Sequence, residues 1–296
     1  MKEEFKAYIS IHLAVILFGF TAILGAVITL PAMILVWWRV MIAGIGLTFF
    51  LRDFHFLRTI SRLQLLRFIG IGSIISIHWV LFFLSVKLAG ASVCLVCMAT
   101  TCLFVSFIEP ILLRKTFRKL DIGIALLIVP GMAMVVQSLE VSRYPGVLAG
   151  LSSAFLAAIF STLNKKYIRN ITIWQLSWIE MWSAFLTLSL ILIISIPLVG
   201  AWEWWPASTD WVYLLILGFV CTTLGHAMSL YALKSISAFA LNLVINLEPV
   251  YGMVLAALML GENKTLAPGF YVGATLIILS VFSYPIIQKR LAHAIS

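Results

Sequence analysis

Long apolar runs alternate with short charged segments along the whole chain. The runs fall at about 7–27, 32–51, 66–86, 90–113, 122–139, 146–163, 174–197, 211–233, 238–260 and 268–287. Each spans about 18–24 residues, which at 1.5 Å per residue is the length a helix needs to cross a hydrocarbon core. The pattern predicts an all-α integral membrane protein of about ten transmembrane helices, with loops too short to hold a soluble domain. The first run follows the basic start MKEEFK, as the core of a signal peptide would. It is long, and no clear small-x-small cleavage site follows it, so it reads as a retained first helix.

The charged positions orient these helices. Counted with the N-terminus inside, the inner set of lysines and arginines is Lys2, Lys6, Arg52, Arg58, Arg62, Arg67, Arg114, Lys115, Arg118, Lys119, Lys165, Lys166, Arg169, Lys234, Lys289 and Arg290. The outer set is Lys87, Arg143 and Lys264, and Arg39 lies within a helix. An excess of this size on alternate loops sets both termini in the cytoplasm of a multi-pass inner-membrane protein. It also supports the even helix number, because a missed helix would scramble the alternation. Outer loops carry Glu140, Glu203 and Asp210 with the cluster Trp202, Trp204, Trp205 and Trp211, which reads as an interfacial aromatic belt.

Composition sharpens this picture. Hydrophobic residues make up 63% of the chain and charged residues 10%, against about a quarter charged in a soluble domain. The net charge of +9 sits in loop clusters suited to anionic lipid, not in a basic stripe, and so argues against nucleic acid. Cys94, Cys97, Cys102 and Cys221 all lie inside apolar runs and imply packing, not disulfides. No group of His, Cys, Asp and Glu has metal-ligand spacing, and no cofactor motif is present.

The two halves of the chain resemble each other. A shift of 147 lays SVKLAGAS, residues 85–92, on ALKSISAF, residues 232–239, and matches Lys87 with Lys234. The same shift sets Thr101-Cys102 on Glu248-Pro249 and brings His78 within one position of His226. In the second helices a shift of 141 puts Arg39 opposite Glu180. Residues 1–143 and 144–296 are thus read as two five-helix repeats within one membrane domain. Because five is odd, the second repeat enters the membrane upside down, an architecture that places a binding site near the midplane between the repeats.

These features resemble the drug/metabolite transporter superfamily in its EamA-like branch, over nearly the whole chain. The stretch INLEPVYGMVLAALMLGENKTLAPGFYVGATLIILSVF, residues 245–282, is similar to that family's ninth helix, its Gly-Glu loop at Gly261 and Glu262, and its glycine-rich tenth helix. The first-half counterpart ASVCLVCMATTCLFVSFIEPILLRK, residues 91–115, diverges. Cys102 stands where many relatives have a mid-helix proline, and the Glu109-Pro110 pair comes later. The resemblance implies a ten-helix exporter of amino acids or other small metabolites, with a central cavity and both termini cytoplasmic.

Ionisable groups inside the membrane cost at least about 2.5–3.5 kcal/mol on insertion scales, so they face the bundle interior or a wet cavity. Glu248 lies mid-helix before Pro249, which removes a helical donor and frees the Ile245 carbonyl. With Asn242 and Asn246 it makes a polar patch that would handle substrate or protons, or else serve as a structural charge at a kink. His78 and His226 are candidate cavity residues that can titrate or bind a carboxylate, the alternative being interhelical hydrogen bonds. Trp79, Tyr231 and Tyr251 suit an apolar substrate or packing. Thr21, Thr101, Ser161 and Asn164 are further candidates. Arg39 and Glu180 lie roughly 12 Å apart along the membrane normal at 1.5 Å per residue, which favours two separate buried charges over a direct pair. Gly146 with Gly150, and Gly269 with Gly273, form small-xxx-small faces for helix packing.

A secondary transporter of small molecules is the leading functional reading. A non-transporting scaffold or receptor would not need midplane charges, and a membrane-embedded lipid enzyme would need a nucleophile-base pair or metal cluster that the sequence does not show. There is no GxxxxGK[ST] loop, so ATP does not power the chain directly. Transport would be downhill, or coupled to protons or to an antiported solute.

Overall fold

The computed structural model describes residues 2–51, 53–199 and 203–295. Arg52 of the basic set and Trp202 of the aromatic cluster lie outside the described residues. Ten helical segments follow one another in the expected order. They are α1 (Lys2–Val27), α2 (Ala32–Phe50), α3 (Arg62–Ala89), α4 (Ala91–Leu113), α5 (Lys119–Leu126 continued by Ile128–Gln137), α6 (Tyr144–Tyr167), α7 (Ile173–Val199), α8 (Asp210–Ser235), α9 (Ala238–Met259) and α10 (Pro268–Ile295). Eight are long and apolar enough to cross a membrane, and α5 and α10 supply shorter apolar helices, Ile128–Gln137 and Pro268–Ser280.

Packing follows the repeat. Helix α3 lies on α6 as α1 lies on α8, α7 lies on α3 as α8 lies on α2, and α4 lies on α6 as α9 lies on α1. Helices α5 and α10 pack on each other. Each pairing is reproduced when every helix is exchanged with the one five places on. The glycine faces mediate the close approaches. A Cβ on Gly273 would stand 2.5 Å from the Gly131 carbonyl oxygen, and one on Gly146 would meet the Ala89 Cβ at 2.6 Å. The two lysines matched by the 147 shift play matched parts. Lys87 donates from the end of α3 to the Ile28 carbonyl just beyond α1, and Lys234 donates from the end of α8 to the Ile171 carbonyl beyond α6, at 3.2 Å.

Lysines and arginines gather at one end of the bundle, called here the basic face. There Lys165 donates to the Leu233 carbonyl at 2.6 Å and Lys166 to the Leu112 carbonyl at 2.8 Å, so the cations neutralise helix C-termini. The opposite face is closed by tryptophan. Trp38 of α2 donates its indole N–H to the Trp204 carbonyl at 2.8 Å and stacks edge-on with Trp211 at 4.9 Å, while Trp37 meets Trp204 at 5.7 Å. The outer tryptophans expected as a belt are therefore also a packed plug that ties α2 to the start of α8.

Two helices break at matched positions. Helix α9 divides into Ala238–Ile245 and Glu248–Met259, and α4 into Ala91–Ala99 and Thr101–Leu113. The α9 break follows from Pro249, which has no N–H for the Ile245 carbonyl. Helix α4 has no proline there. Instead the hydroxyls of Thr100 and Thr101 each donate at 2.6 Å to carbonyls three residues back, Cys97 and Met98. Such back-bonding competes with the helical ladder and bends it.

Candidate functional site

The breaks in α4 and α9 border a cavity of about 80 Å³ in the middle of the bundle. At midplane depth it is lined by Arg39, His78, Trp79, Thr101 and Glu248, with Thr21 of α1 beside them. Towards the basic face it is lined by Ser161 and Asn164 of α6, Ser229 and Leu233 of α8, and Asn242 of α9. Phe18, Phe82, Met98 and Phe160 give it apolar walls.

Arg39 is the most constrained polar group. Its side chain is buried, and its guanidinium lies 4.1 Å over the Trp79 ring and 5.4 Å from that of Phe83. Stacking on an aromatic face partly replaces lost hydration. Its Nε donates to the Thr222 hydroxyl at 2.6 Å, and that hydroxyl donates in turn to the Leu217 carbonyl at 2.6 Å. Thr222 lies in a π-helical stretch of α8, Ile216–Leu224, and its bond reaches five residues back. Such π segments are rare and gather at functional sites. The Arg39 Nη1 atom is buried with no partner among the described residues.

The other cavity groups divide into held and unpaired. The His78 Nδ1 sits 2.9 Å from the Ser153 carbonyl oxygen. The Ser153 hydroxyl lies 2.8 Å from the same nitrogen and 2.9 Å from the His78 carbonyl oxygen, so Ser153 holds the ring from two sides. Asn242 donates to the Ser161 hydroxyl at 3.0 Å and to the Ala238 carbonyl at 2.8 Å. Asn164 is buried with both amide atoms unpartnered among the described residues. Glu248 opens the second piece of α9, where a helix N-terminus favours negative charge. A buried group without a partner is costly, so Arg39 Nη1 and the Asn164 amide are disposed to take a polar ligand, with Glu248 beside them in the lining.

Other expected site residues lie outside the lining. Glu180, fully buried on α7, stands behind the cavity wall and accepts from His226 Nε2 at 2.6 Å. The Glu180 Oε1 atom is buried and unpartnered among the described residues. Arg39 and Glu180 are thus two separate buried charges. Asn246 does not line the cavity, because its amide is spent on the Ala99 carbonyl at 3.0 Å. Tyr231 reaches Glu3 at the basic face, its hydroxyl donating at 3.3 Å. Tyr251 is 45% exposed, with its Cβ set against Gly19. Sequence reasoning overlooked Ser153, Cys221, Thr222 and Ser229. Helical spacing from His226 marks Ser229, Leu230 and Leu233 as one stripe, but Cys221 joins them from five residues back only through the π turn, which leaves no sequence signal.

Comparison with known proteins follows the same division of the chain. The model of the EamA-like transporter family matches residues 5–137 and again residues 144–284, one match per repeat. No curated protein sequence matches the chain significantly. One solved crystal structure of a protein superposes with a TM-score of 0.68 at 16% identity, covering 96% of this chain and 98% of that one. At that identity the likeness bears on the fold alone. Two matches that together span nearly the whole chain, one over each packed half, show that this protein belongs to the EamA-like transporter family, a branch of the drug/metabolite transporter superfamily.

Proposed function

We propose that this chain is a secondary transporter that exports amino acids or related small metabolites across the plasma membrane by alternating access, with the basic face in the cytoplasm. The observation that carries this reading is the cavity itself. It places a guanidinium with a free N–H, Arg39, and a carboxylate, Glu248, around one space inside the bundle. A zwitterion suits the two groups, its carboxylate meeting the free Arg39 N–H and its ammonium meeting Glu248. The lining reaches from midplane towards the basic face, so cargo enters from the cytoplasm.

Energy coupling belongs to the same reading. Coupling to protons or to a counter-solute would run through the ionisable groups around the cavity, namely Arg39, His78, Cys221, Glu248 and His226, with Glu180 bonded behind His226. The test is a thermal-shift screen of purified protein against free amino acids, their amides and their decarboxylated amines. Counterflow in proteoliposomes then follows for each ligand that stabilises. Stabilisation by amino acids, lost in Arg39→Ala, supports the reading. A protein stabilised by no zwitterion, or equally by amines lacking the carboxylate, argues against it.

A further inference from the structure

Helices α4 and α9 are antiparallel and are tied to each other at three heights. At mid-height, Asn246 donates to the Ala99 carbonyl at 3.0 Å. At the end away from the basic face, the carboxylate of Glu262, just beyond α9, accepts from the first N–H groups of α4, Ala91 at 2.8 Å and Ser92 at 2.9 Å. At the basic face, the carboxylate of Glu109, near the end of α4, accepts from Phe239 N–H at the start of α9 at 2.8 Å. The 147 shift that overlays the repeats takes Ala91 to Ala238 and Ser92 to Phe239. Each repeat therefore ends its broken helix with a glutamate that caps the start of the other repeat's broken helix. The glutamates themselves are not matched residues, since Glu262 maps to Lys115. The likeness lies in what they hold.

These caps are unlike ordinary ones. A helix N-terminus is usually capped by its own chain a residue or two before it. Here α4 has no side-chain cap of its own and its first N–H groups are held by Glu262, while α9 carries its own Ser237 cap on the Ala240 N–H at 3.0 Å and takes Glu109 as an added partner on Phe239 from across the repeat interface. Eighteen residues separate Ala91 from Glu109, about 27 Å along a helix at 1.5 Å per residue, so the two caps lie at opposite membrane faces. Splaying α4 from α9 at one face breaks one cap and leaves the other intact. The mid-height Asn246–Ala99 bond stays close to the pivot of such a motion and changes least.

We propose that Glu262 and Glu109 are the latches of the two gates, Glu262 holding the cavity closed to the face opposite the basic one and Glu109 holding it closed to the basic face. The idea rests on the transport reading above, because gates at both faces matter only to a cavity that opens to each in turn. The two latches are unequal. Glu262 engages two N–H groups and Gly90, at φ +99°, lets the chain pass beside it, where a Cβ would stand 2.9 Å from its Oε1. Glu109 engages one N–H and shares its other oxygen with Lys115 at 3.5 Å. The resting protein is thus biased to open at the basic face.

The test reads access to the cavity and needs no known substrate. Cys221 lines the cavity, and with Cys94, Cys97 and Cys102 replaced by alanine it is the sole target for an impermeant maleimide applied to either face of sealed membranes. Glu262→Gln is expected to raise labelling from the face opposite the basic one about fivefold or more and to leave or lower labelling from the basic face. Glu109→Gln is expected to do the reverse. Should the glutamine variants fold poorly, a Ser92→Cys/Glu262→Cys cross-link, in the same alanine background, replaces the outer latch covalently. It is expected to abolish labelling from that face and spare the basic face. Equal labelling of parent, both variants and cross-linked protein from both faces overturns the latches. A Cys221 reached from neither face in any form overturns the transport reading beneath them.

Discussion

Asn246 donates its side-chain amide to the backbone carbonyl of Ala99 across 3.0 Å, and the two residues are 147 apart in the chain. That separation is the shift that lays SVKLAGAS on ALKSISAF. In a pair of repeats related by a two-fold axis, a residue meets its own counterpart only on the axis. The bond therefore marks the point where the broken helices α4 and α9 cross, and the breaks on either side of it border the cavity.

Removing that bond leaves a buried carbonyl without its donor. Asn246→Leu is expected to cost about 1 kcal/mol, between the roughly 0.6 kcal/mol mean for membrane hydrogen bonds and the 1–3 kcal/mol penalty of an unsatisfied buried group. The check is the unfolding midpoint of purified protein in mixed detergent. A variant as stable as the parent would show that water or neighbouring backbone replaces the amide.

The helix pattern was legible because a bilayer imposes one length and one polarity on every span. The ten runs correspond to the ten segments, including the weaker α5, whose expected run 122–139 is interrupted at Leu127. The break in α9 was legible through Pro249. The equivalent break in α4 was not, since Thr100 and Thr101 act through side-chain bonds to carbonyls that any helix also offers. Of the candidate site residues, Thr21, Arg39, His78, Trp79, Thr101, Ser161, Asn164, His226, Asn242 and Glu248 reach the cavity. Asn246, Tyr231 and Tyr251 do not, because polarity and depth select a residue while rotation about the helix axis decides what it faces. Three residues beyond Glu248, Tyr251 already faces away from the cavity that Glu248 and Asn242 line.

The Glu180–His226 pair should respond asymmetrically to truncation. His226→Leu leaves a fully buried carboxylate without its one hydrogen-bond partner, a situation that costs about 3–5 kcal/mol. Glu180→Leu leaves an imidazole that faces the cavity, where water can reach it, so its cost should be smaller. The double variant should be more stable than His226→Leu alone. Unfolding curves of the three proteins decide this, and equal losses in both single variants would refute the asymmetry.

Two glycines two residues apart on α3 should behave in opposite ways. A Cβ on Gly72 would stand 2.6 Å from the Glu180 carbonyl oxygen and 2.9 Å from the Glu180 Cα, both backbone atoms that cannot turn aside. A Cβ on Gly70 meets nothing within 4 Å. Gly72→Ala is expected to force α3 from α7 and lower stability by about 1–3 kcal/mol, with the Glu180–His226 pair disturbed as well. Gly70→Ala is expected to change stability by under about 0.5 kcal/mol, or to raise it through better helix propensity. Melting temperatures of the two variants provide the comparison.

Orientation is open to a direct chemical test. Ser61 lies between α2 and α3 at the basic face, and Ser208 lies just before α8 at the other. Cysteines placed singly at these positions in a cysteine-free background should label differently with an impermeant maleimide on spheroplasts. Ser208→Cys is expected to react and Ser61→Cys to react only after lysis. The reverse result would turn the protein over in the membrane and, with it, the direction assigned to transport.

The separation of Arg39 from Glu180 bears on how the two charges were placed by the repeat. They occupy matched positions on α2 and α7, which invites a salt bridge across the axis. The structure gives each a different partner instead. Arg39 bonds Thr222 and stacks on Trp79, while Glu180 bonds His226. All three of those partners sit on the third helix of one repeat or the other. If the charges act separately, exchanging them cannot help. Arg39→Glu loses the stacking on Trp79 and places a carboxylate against the Thr222 hydroxyl, and Glu180→Arg sets a cation against His226. The double exchange is expected to express no better than the worse single variant, with a coupling of under about 0.5 kcal/mol in a stability cycle. Arg39→Lys should fail for a related reason, since an ammonium has no planar face to lay on Trp79 and no Nε fork for Thr222. It is expected to fold but to bind any ligand that stabilises the parent at least tenfold more weakly. Strong rescue of expression by the double exchange would instead show that the two charges feel each other directly.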